Sequence, residues 1–264
     1  MKTLSIFGII FLCFLTSACG KKQQEEEAVY SSSYKVIPVK DGATIRGKVK
    51  TDPSGNFLSV IETQKDQDVC GKSHPNPGKP NSDGALPNCI VGIEHITEGK
   101  DFAKHEYALD QRGCDFQPHV QIARIGSPIV VSNSDKALHN YHITRNGETL
   151  INEAQPEGAP AREVELKQKG LHVVTCDVHP WMRGYIWMAD HPYYTLTDAS
   201  GAFALSDVPP GKYKLTLWRD SWSAEEVKNA KGVIDSYKWG KDIVKEQEIT
   251  VEAGKDVVVD FTLP

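Results

Sequence analysis

Three side chains that can bind a metal ion lie close together in the second half of the chain. Residues 176–184 read CDVHPWMRG, so Cys176, His179 and Met182 follow the spacing C-x2-H-x2-M. A thiolate, an imidazole and a thioether are soft or borderline ligands, and if they face one point they make up most of a copper site. The same residues also fit a core cysteine, a loop histidine and a core methionine. The rest of the chain has to decide between these interpretations.

The N-terminal segment is typical of bacterial export. Residues 1–18, MKTLSIFGIIFLCFLTSA, carry one lysine followed by a short apolar run that ends in small residues. This pattern fits a signal peptide better than a membrane span. The stretch LTSAC resembles the bacterial lipobox, so Cys19 is the expected lipidation site, and Gly20 after it favours the outer membrane. Cleavage to a free secreted protein is the alternative.

The segment after the anchor and the overall charge narrow the classes of partner. Residues 19–40 are polar, charged and poor in bulky aliphatic side chains, which predicts a tether rather than a folded unit. The full chain carries 30 basic and 35 acidic side chains, a formal net charge of −5. A basic patch for nucleic acid is therefore not expected.

Export changes how the cysteines are interpreted, because the cell envelope is oxidising and favours disulfides. Beyond the anchor the chain contains Cys70, Cys89, Cys114 and Cys176. If Cys176 binds a metal, an odd number is left, and one thiol must stay free. Cys89 lies in NCIVGIE, a β-branched run typical of a buried strand, whereas the sequences DVCGK and QRGCD are loops. We therefore predict a Cys70–Cys114 disulfide.

The hydrophobic pattern predicts an all-β protein built as sandwiches or a barrel. Short apolar or alternating runs recur between turn residues: TIRGKVK, NCIVGIEHI, SPIVVSN, YHITR, LHVVTC, GYIWMA, YKLTLW and DVVVDFTL. Residues 69–87 are rich in proline and glycine and are expected to form a long irregular loop. Residues 223–240 are the one place where a helical turn or two is expected. The run from Thr195 to Trp218 is expected to form a hairpin or meander.

Two parts of the sequence resemble the carboxypeptidase-regulatory-like domain, a transthyretin-like β-sandwich. Thr195 to Trp218 follow the pattern T-D-x-x-G-x-F-x-L-x-D-V-P-P-G-x-Y-x-L, and residues 45–49, IRGKV, match the opening strand of that family. The resemblance has a long gap between these two parts. It therefore implies a sandwich formed by residues 41–103 and 191–264, with a second domain inserted at 104–190.

The inserted segment resembles the cupredoxins, the small type 1 blue-copper domains, and most closely the amicyanin type. It contains H-N-x-H starting at His139, followed by C-x2-H-P-aromatic-M-R-G starting at Cys176. The resemblance implies a Greek-key β-sandwich that binds one copper ion. It assigns the two imidazoles to His139 and His179, the thiolate to Cys176 and the weak axial thioether to Met182.

The resemblance also suggests which residues surround the ligands. Asn140 follows the first ligand histidine. Val178 stands where amicyanins have proline, so its N–H is available to the sulfur of Cys176, which would favour Cu(I). The segment formed by His179, Pro180 and Trp181 is expected to reach the surface as an apolar patch through which the electron leaves.

Other histidines leave alternatives open. His142 together with His139, Cys176 and His179 would make a zinc site, but residues three apart on a regular strand face opposite sides. His172 is expected to be a packing residue. Whether His74 or His119 contributes to a second metal site is left open.

The expected function is that of an electron carrier rather than an enzyme. Thr175 and Asp177 flank Cys176, so there is no neighbouring histidine to pass an electron to a second copper centre. We expect a membrane-tethered copper protein of the bacterial cell envelope that meets its redox partner proteins transiently. A non-redox copper- or zinc-binding or scaffold lipoprotein is the alternative.

Overall fold

The computed structural model describes residues 33–55, 57–221 and 223–264, and the predicted signal peptide and lipidated Cys19 lie outside these ranges. The elements, in chain order, are β1 Lys35–Val36, β2 Ala43–Thr51, β3 Val60–Glu62, α1 Gln67–Cys70, β4 Ser73–Pro75, β5 Ile90–Glu94, β6 Glu98–Gly99, β7 Tyr107–Gln111, β8 Phe116–Gln117, β9 Val120–Arg124, β10 Pro128–Asn133, β11 His139–Arg145, β12 Glu148–Gln155, β13 Arg162–Glu165, β14 Gly170–Thr175, β15 Arg183–Ala189, β16 Tyr194–Leu196, β17 Ala202–Val208, β18 Gly211–Arg219, β19 Ala224–Lys228, β20 Ile234–Trp239, β21 Ile243–Val251, β22 Val257–Val258 and β23 Phe261–Leu263. The predicted all-β class is confirmed.

The first sandwich is formed by the middle of the chain. A four-stranded sheet in the order β13-β10-β7-β8 packs on a five-stranded sheet in the order β12-β11-β14-β15-β9. Alternation along the strands puts one set of side chains into the shared core. That core includes Leu109, Ile129 and Val131 from one sheet and Tyr141, Ile143, Val174 and Ile186 from the other.

The second sandwich combines strands from both ends of the described chain. One sheet has the order β16-β5-β18-β21, and the other has β17-β2-β22 with β23 also paired to β2. Strand β2 therefore pairs with strands about 200 residues further on, for example Val49 with Phe261. Its core includes Ile45 and Leu205 on one side and Val91, Leu215 and Leu217 on the other.

The two sandwiches pack face to face. Along β15, Ile186 and Met188 face the first core, whereas Tyr185 belongs to a separate apolar cluster with Val120, Ile90 and Trp218. Tyr185 and Trp218 meet edge to face, with ring centroids 4.9 Å apart. Strand β15 is thus buried on both faces, which explains why GYIWMA is continuously apolar rather than alternating.

Two short hairpins depart from the predicted division of the chain. Strands β3 and β4 form one, β19 and β20 form the other. Ile61 and Tyr237, one from each hairpin, belong to the core cluster of the first sandwich. The Tyr237 hydroxyl also donates to the carbonyl oxygen of Glu62, at 2.8 Å. The two hairpins belong to the ranges 41–103 and 191–264, which the sequence motif assigned to the second sandwich. Their side chains nevertheless pack on the first sandwich.

The predicted helical turn within 223–240 is wrong, because this segment is the β19–β20 hairpin. The Asn229 side chain accepts hydrogen bonds from the backbone N–H groups of Lys231 and Val233, and Gly232 has a φ of 74°. An asparagine side chain that bonds the backbone ahead of it, followed by a left-handed glycine, closes a turn and ends any helix.

The predicted hairpin within 195–218 is also wrong. Strand β17 pairs with β2, whereas β18 pairs with β5 and β21, so the two consecutive strands lie in opposite sheets. Pro209 and Pro210 stand between them and have no backbone N–H to continue a ladder. The chain therefore crosses the sandwich at this turn.

None of the helices in the described part of the chain is long and apolar enough to span a bilayer.

Candidate metal centre

Two strands of the five-stranded sheet bring the predicted ligands together. His139 is the first residue of β11, and the loop between β14 and β15 contains Cys176, His179 and Met182. The loop is a tight turn, since the Met182 N–H donates to the His179 carbonyl oxygen at 2.9 Å. The ladder between β11 and β14, which pairs His142 with Thr175, places the two segments side by side.

Three of the four predicted ligands converge at one buried point. His139 Nδ1 lies 2.9 Å from His179 Nδ1, and Cys176 Sγ lies 3.7 Å from His179 Nδ1. All three donor atoms lie within 4.8 Å of one another. Both histidines are 0% exposed, and Cys176 is 2% exposed. Met182, 1% exposed, packs in the same core cluster.

Asn140 fastens the ligand loop to the strand that contains His139. Its side-chain carbonyl accepts the Asp177 N–H at 2.7 Å, and its amide donates to Asp177 Oδ2 at 3.1 Å and to Asn152 Oδ1 at 2.8 Å. Asp177 directly follows Cys176 in the loop. The predicted neighbour of the ligands is therefore the residue that joins the two halves of the site.

Each ligand histidine is held by a carboxylate on the side away from the other ligands. His139 Nε2 lies 3.0 Å from Asp135 Oδ2, and His179 Nε2 lies 2.9 Å from Asp66 Oδ2. Sequence reasoning missed both acids. Asp135 precedes His139 by four residues, a spacing that could have been noticed, whereas Asp66 is 113 residues from its histidine and carries no local signal.

Because both Nε2 atoms bond to carboxylates, the two Nδ1 atoms face each other and favour a cation between them. Carboxylates accept hydrogen bonds, so each Nε2 carries the proton and each Nδ1 presents a lone pair. Two such lone pairs 2.9 Å apart repel each other unless a positive charge lies between them. Burial lowers the pKa of both His139 and His179, although the hydrogen bonds to Asp135 and Asp66 oppose this shift. A proton shared between the two rings is therefore disfavoured. A metal ion fits the donor set.

The thiol of Cys176 is the third donor group of this cluster. Burial raises its pKa, while the backbone N–H groups of Asn140, His179 and Val178 lie against the sulfur and oppose that shift. Three N–H groups around a sulfur stabilise negative charge on it. The N–H of Val178 is among these groups, and its effect on the copper site stays a prediction.

Within the described part of the chain, His179 and Trp181 are buried and do not form the apolar exit surface that was predicted. Pro180 is partly exposed, but Trp181 is 4% exposed, and its Nε1–H donates to the Cys114 carbonyl oxygen at 3.1 Å. Its ring centroid lies 4.9 Å from that of His179 and 6.3 Å from that of His74. The segment around α1 and β4 covers this side of the site, so the tryptophan is a core residue.

His142 is not part of the cluster. Its Nδ1 lies 2.9 Å from Asp177 Oδ1 and its Nε2 lies 2.7 Å from Thr149 Oγ1, so both ring nitrogens have partners outside the site. This agrees with the strand geometry, which sends residues three apart to opposite faces. The zinc arrangement that needs His142 therefore loses its fourth ligand.

The remaining histidines lie elsewhere. His119 bonds the carbonyl oxygen of Arg183 and the carboxylate of Asp220, His172 is fully buried against the Gly170 carbonyl oxygen, and His74 stacks on Trp181. Among the described residues, the groups of side chains close enough to share a metal ion include none of these three histidines.

The cysteines outside the cluster follow the predicted pattern. Cys70 and Cys114 are joined by a disulfide. Cys89 is a free, fully buried thiol, and burial raises its pKa. It directly precedes β5, and its thiol donates to the Leu86 carbonyl oxygen at 3.5 Å.

The comparisons with known proteins concern parts of the chain. A family model described as polysaccharide lyase family 4, domain II matches residues 166–259. A comparison with curated proteins finds no match. The resemblance to the carboxypeptidase-regulatory-like domain stays a prediction from the sequence motif.

Solved structures that resemble part of the chain include cupredoxins. A purple cupredoxin from Nitrosopumilus maritimus is 18% identical over 32% of this chain and all of its own, with a TM-score of 0.29. Amicyanin from Paracoccus versutus is 12% identical over 38% of this chain and 97% of its own, with a TM-score of 0.29. A copper-containing nitrite reductase from Thermus scotoductus is 18% identical, with a TM-score of 0.29; the match spans 34% of this chain and 24% of that enzyme.

Proposed function

We propose that this chain is a type 1 copper electron-transfer protein of the bacterial cell envelope, tethered to a membrane through lipidated Cys19. It carries single electrons between partner proteins that dock transiently, and it is not an enzyme. The copper ligands are His139, Cys176, His179 and the axial Met182. The sandwich formed from both ends of the chain serves as the body on which the copper domain is mounted.

One observation carries the proposal. Two buried imidazoles turn their Nδ1 atoms toward each other at 2.9 Å, with a buried thiol 3.7 Å from one of them. Two imidazoles and one thiolate beside a methionine are the donor types of blue-copper electron-transfer sites. Copper held there would supply one-electron chemistry by alternating between Cu(I) and Cu(II).

The chain's own residues would keep the site rigid. Asn140 fixes the ligand loop through two hydrogen bonds to Asp177, and the carboxylates of Asp135 and Asp66 fix both imidazole rings. Outer partners of this kind set the tautomer and orientation of a ligand histidine. Ligands that are already in place need little movement when the charge of the site changes, which favours fast electron transfer.

An absorption spectrum of the copper-loaded protein tests the proposal. We expect an intense visible band from thiolate-to-copper charge transfer, lost on addition of one reducing equivalent and restored on reoxidation. A protein that binds copper or zinc without that band would be the non-redox metal-binding lipoprotein instead. Titration with Zn²⁺ as the matched control separates metal binding from the redox-active copper spectrum.

The tether has its own test. In bacteria that express the full chain, a Cys19→Ser variant should move the protein from the membrane fraction to the soluble envelope fraction. Its copper spectrum should not change, because Cys19 is remote in sequence from every ligand. Retention of the variant in the membrane would contradict the lipid anchor and leave the copper site untouched.

A further inference from the structure

The disulfide between Cys70 and Cys114 lies between the two carboxylates that hold the ligand histidines. Asp66 bonds His179 and is followed four residues later by Cys70, whose N–H donates to the Asp66 carbonyl oxygen at 2.7 Å. At the other end, the Cys114 N–H donates to Asp135 Oδ2 at 2.7 Å. The same oxygen is the partner of His139 Nε2 at 3.0 Å.

These contacts form one continuous series around the candidate metal centre. It runs from His179 through Asp66 to Cys70, across the disulfide to Cys114, and from there through Asp135 to His139. A third contact adds to it, since the Cys114 carbonyl oxygen accepts the Trp181 indole N–H at 3.1 Å and Trp181 packs on His179.

The Asp66 end of this series of contacts is held by more than one hydrogen bond. Asp66 has a left-handed backbone, with φ 48° and ψ 39°, and its carbonyl oxygen accepts N–H groups from both Val69 and Cys70. A non-glycine residue in this conformation is kept there by its surroundings. The short α1 turn and the buried disulfide behind it provide that constraint.

We infer that Asp66 is a positioning residue for His179 and that the Cys70–Cys114 disulfide acts as a brace that holds both ligand histidines through Asp66 and Asp135. The inference rests on the proposed copper site and adds a part that comes from outside the sandwich. Asp66 belongs to the segment that covers the centre, and its side chain is the only link in the brace that is substantially exposed, at 48%.

Asp66→Ala tests the first half of the brace, with Asp68→Asn as the matched control. Asp68 is an exposed acid in the same α1 turn, and in the described structure neither ligand ring bonds to it. Loss of an outer carboxylate partner lowers metal affinity about 10- to 100-fold. We expect that loss of Cu(II) affinity for Asp66→Ala and a change of less than about threefold for Asp68→Asn. Equal affinities for the two variants would overturn the assignment.

A measurement on the metal-free protein separates this inference from the proposed function. Two-bond ¹⁵N–¹H correlation spectra report which ring nitrogen carries the proton. In the wild type, His139 and His179 should both be protonated on Nε2. In Asp66→Ala, His179 should populate both tautomers while His139 keeps its own. An unchanged His179 tautomer would overturn the role of Asp66 whether or not the protein binds copper.

The brace itself is tested by amide hydrogen exchange on the disulfide-bonded protein with Zn²⁺ as the probe metal. Metal binding should slow exchange at the amides of Cys70 and Cys114 at least tenfold. The amide of Gly201, hydrogen-bonded to Asp198 in the other sandwich, serves as the reference and should not change. Unchanged exchange at both cysteine amides in a protein that binds the metal would overturn the brace.

A Cys70→Ala/Cys114→Ala variant adds a coupling test where it folds. Removing the disulfide should lower Cu(II) affinity, and Asp66→Ala should then cost much less than it does in the wild type, because contacts in one network are not additive. A full additional loss would show that Asp66 acts independently of the disulfide. If the double variant does not fold, the exchange measurement alone decides the brace.

Discussion

Two clusters of histidine and carboxylate side chains are alike in composition and differ in the partners of their ring nitrogens. In the candidate metal centre, His139 and His179 each bond a carboxylate through one nitrogen and turn the other toward the second ring. At the interface between the sandwiches, His119 uses both nitrogens, on the Arg183 carbonyl oxygen and on Asp220. The first cluster is left incomplete without a cation, whereas the histidine of the second is closed, which here means that both of its ring nitrogens have hydrogen-bond partners.

This difference shows why burial alone does not identify a ligand histidine. At the interface, the Arg183 guanidinium lies 3.4 Å from Asp220 and 3.2 Å from the Ser221 carbonyl oxygen, so positive charge is already supplied by the chain. Burial opposes ionisation of Asp220, but the hydrogen bond from His119 and the neighbouring guanidinium groups of Arg219 and Arg183 keep its pKa below the usual value. The interface cluster is therefore a buried ion-pair network that joins two sandwiches.

The largest effect should come from the thiol that completes the incomplete cluster. Cys176→Ser should abolish the charge-transfer colour and leave the fold intact, since the colour needs the thiolate and the sandwich does not. The matched control is Cys89→Ser, which changes the other free buried thiol in the other sandwich and should keep the full colour. Visible absorption and far-ultraviolet circular dichroism of both variants provide the measurement. Colour that survives in Cys176→Ser would rule out the assigned site.

The second effect is on stability and belongs to the closed cluster. Asp220→Ala removes the partner of His119 and Arg183 and leaves buried positive charge uncompensated, which costs about 3–5 kcal/mol of unfolding free energy. The control is Glu225→Ala, which breaks an exposed ion pair with Lys238 and should cost less than about 1 kcal/mol. Urea unfolding measures both.

The Cu(II) affinity of Asp220→Ala is the second measurement in this comparison. Asp220→Ala should leave Cu(II) affinity within about threefold of the wild type, since Asp220 belongs to none of the groups of described side chains that lie close enough together to hold a metal ion. A large loss of copper affinity with little loss of stability would mean that the two clusters have been assigned the wrong way round.

Another buried histidine lies outside both clusters and tests the effect of burial on stability in acid. His191 is 1% exposed, and burial lowers its pKa to about 4. The unfolded chain binds its proton near pH 6.5, so between pH 6.5 and 4 the unfolded state carries more protons and stability rises with pH. Acidification from pH 8 to pH 5 should therefore remove about 2 kcal/mol through this residue.

Comparison of His191→Gln with the wild type isolates that contribution. Other buried histidines also lose stability in acid, so the informative quantity is the difference between the two proteins in the drop from pH 8 to pH 5. The variant should lose about 2 kcal/mol less than the wild type. An identical drop in both proteins would mean that His191 is protonated in the folded state.

How much could be predicted from the sequence differs between local and distant features. Runs such as YKLTLW and LHVVTC predicted strands correctly because alternation and β-branching act within a few residues. Cys176 and His179 share one short loop, so their approach follows from chain length alone. The 223–240 segment was mispredicted because its turn depends on one asparagine and one glycine in the middle of an irregular pattern.

The parts that could not be predicted depend on contacts between remote segments. Asp66 reaches His179 only because the β3–β4 region folds over the first sandwich, and no spacing in the sequence encodes that. The same cover buries Trp181, which is why the expected exit patch is absent. The sequence thus predicted which donor side chains come together, and the tertiary structure determined which groups surround them.

The smallest expected effect concerns the one predicted ligand that contributes only weakly. Met182→Leu should keep the colour, because the thiolate and both imidazoles remain, and should raise the reduction potential, because loss of a weak axial donor disfavours Cu(II). Met188→Leu is the matched control: both methionines are buried in the same core cluster, but Met188 lies within β15 and outside the ligand loop. Each exchange conserves volume and should cost less than about 1.5 kcal/mol of stability. Potentiometric titration of the two variants beside the wild type decides the point, since a rise in both would reflect repacking of the core, and a rise in Met182→Leu alone reflects a thioether that touches the metal.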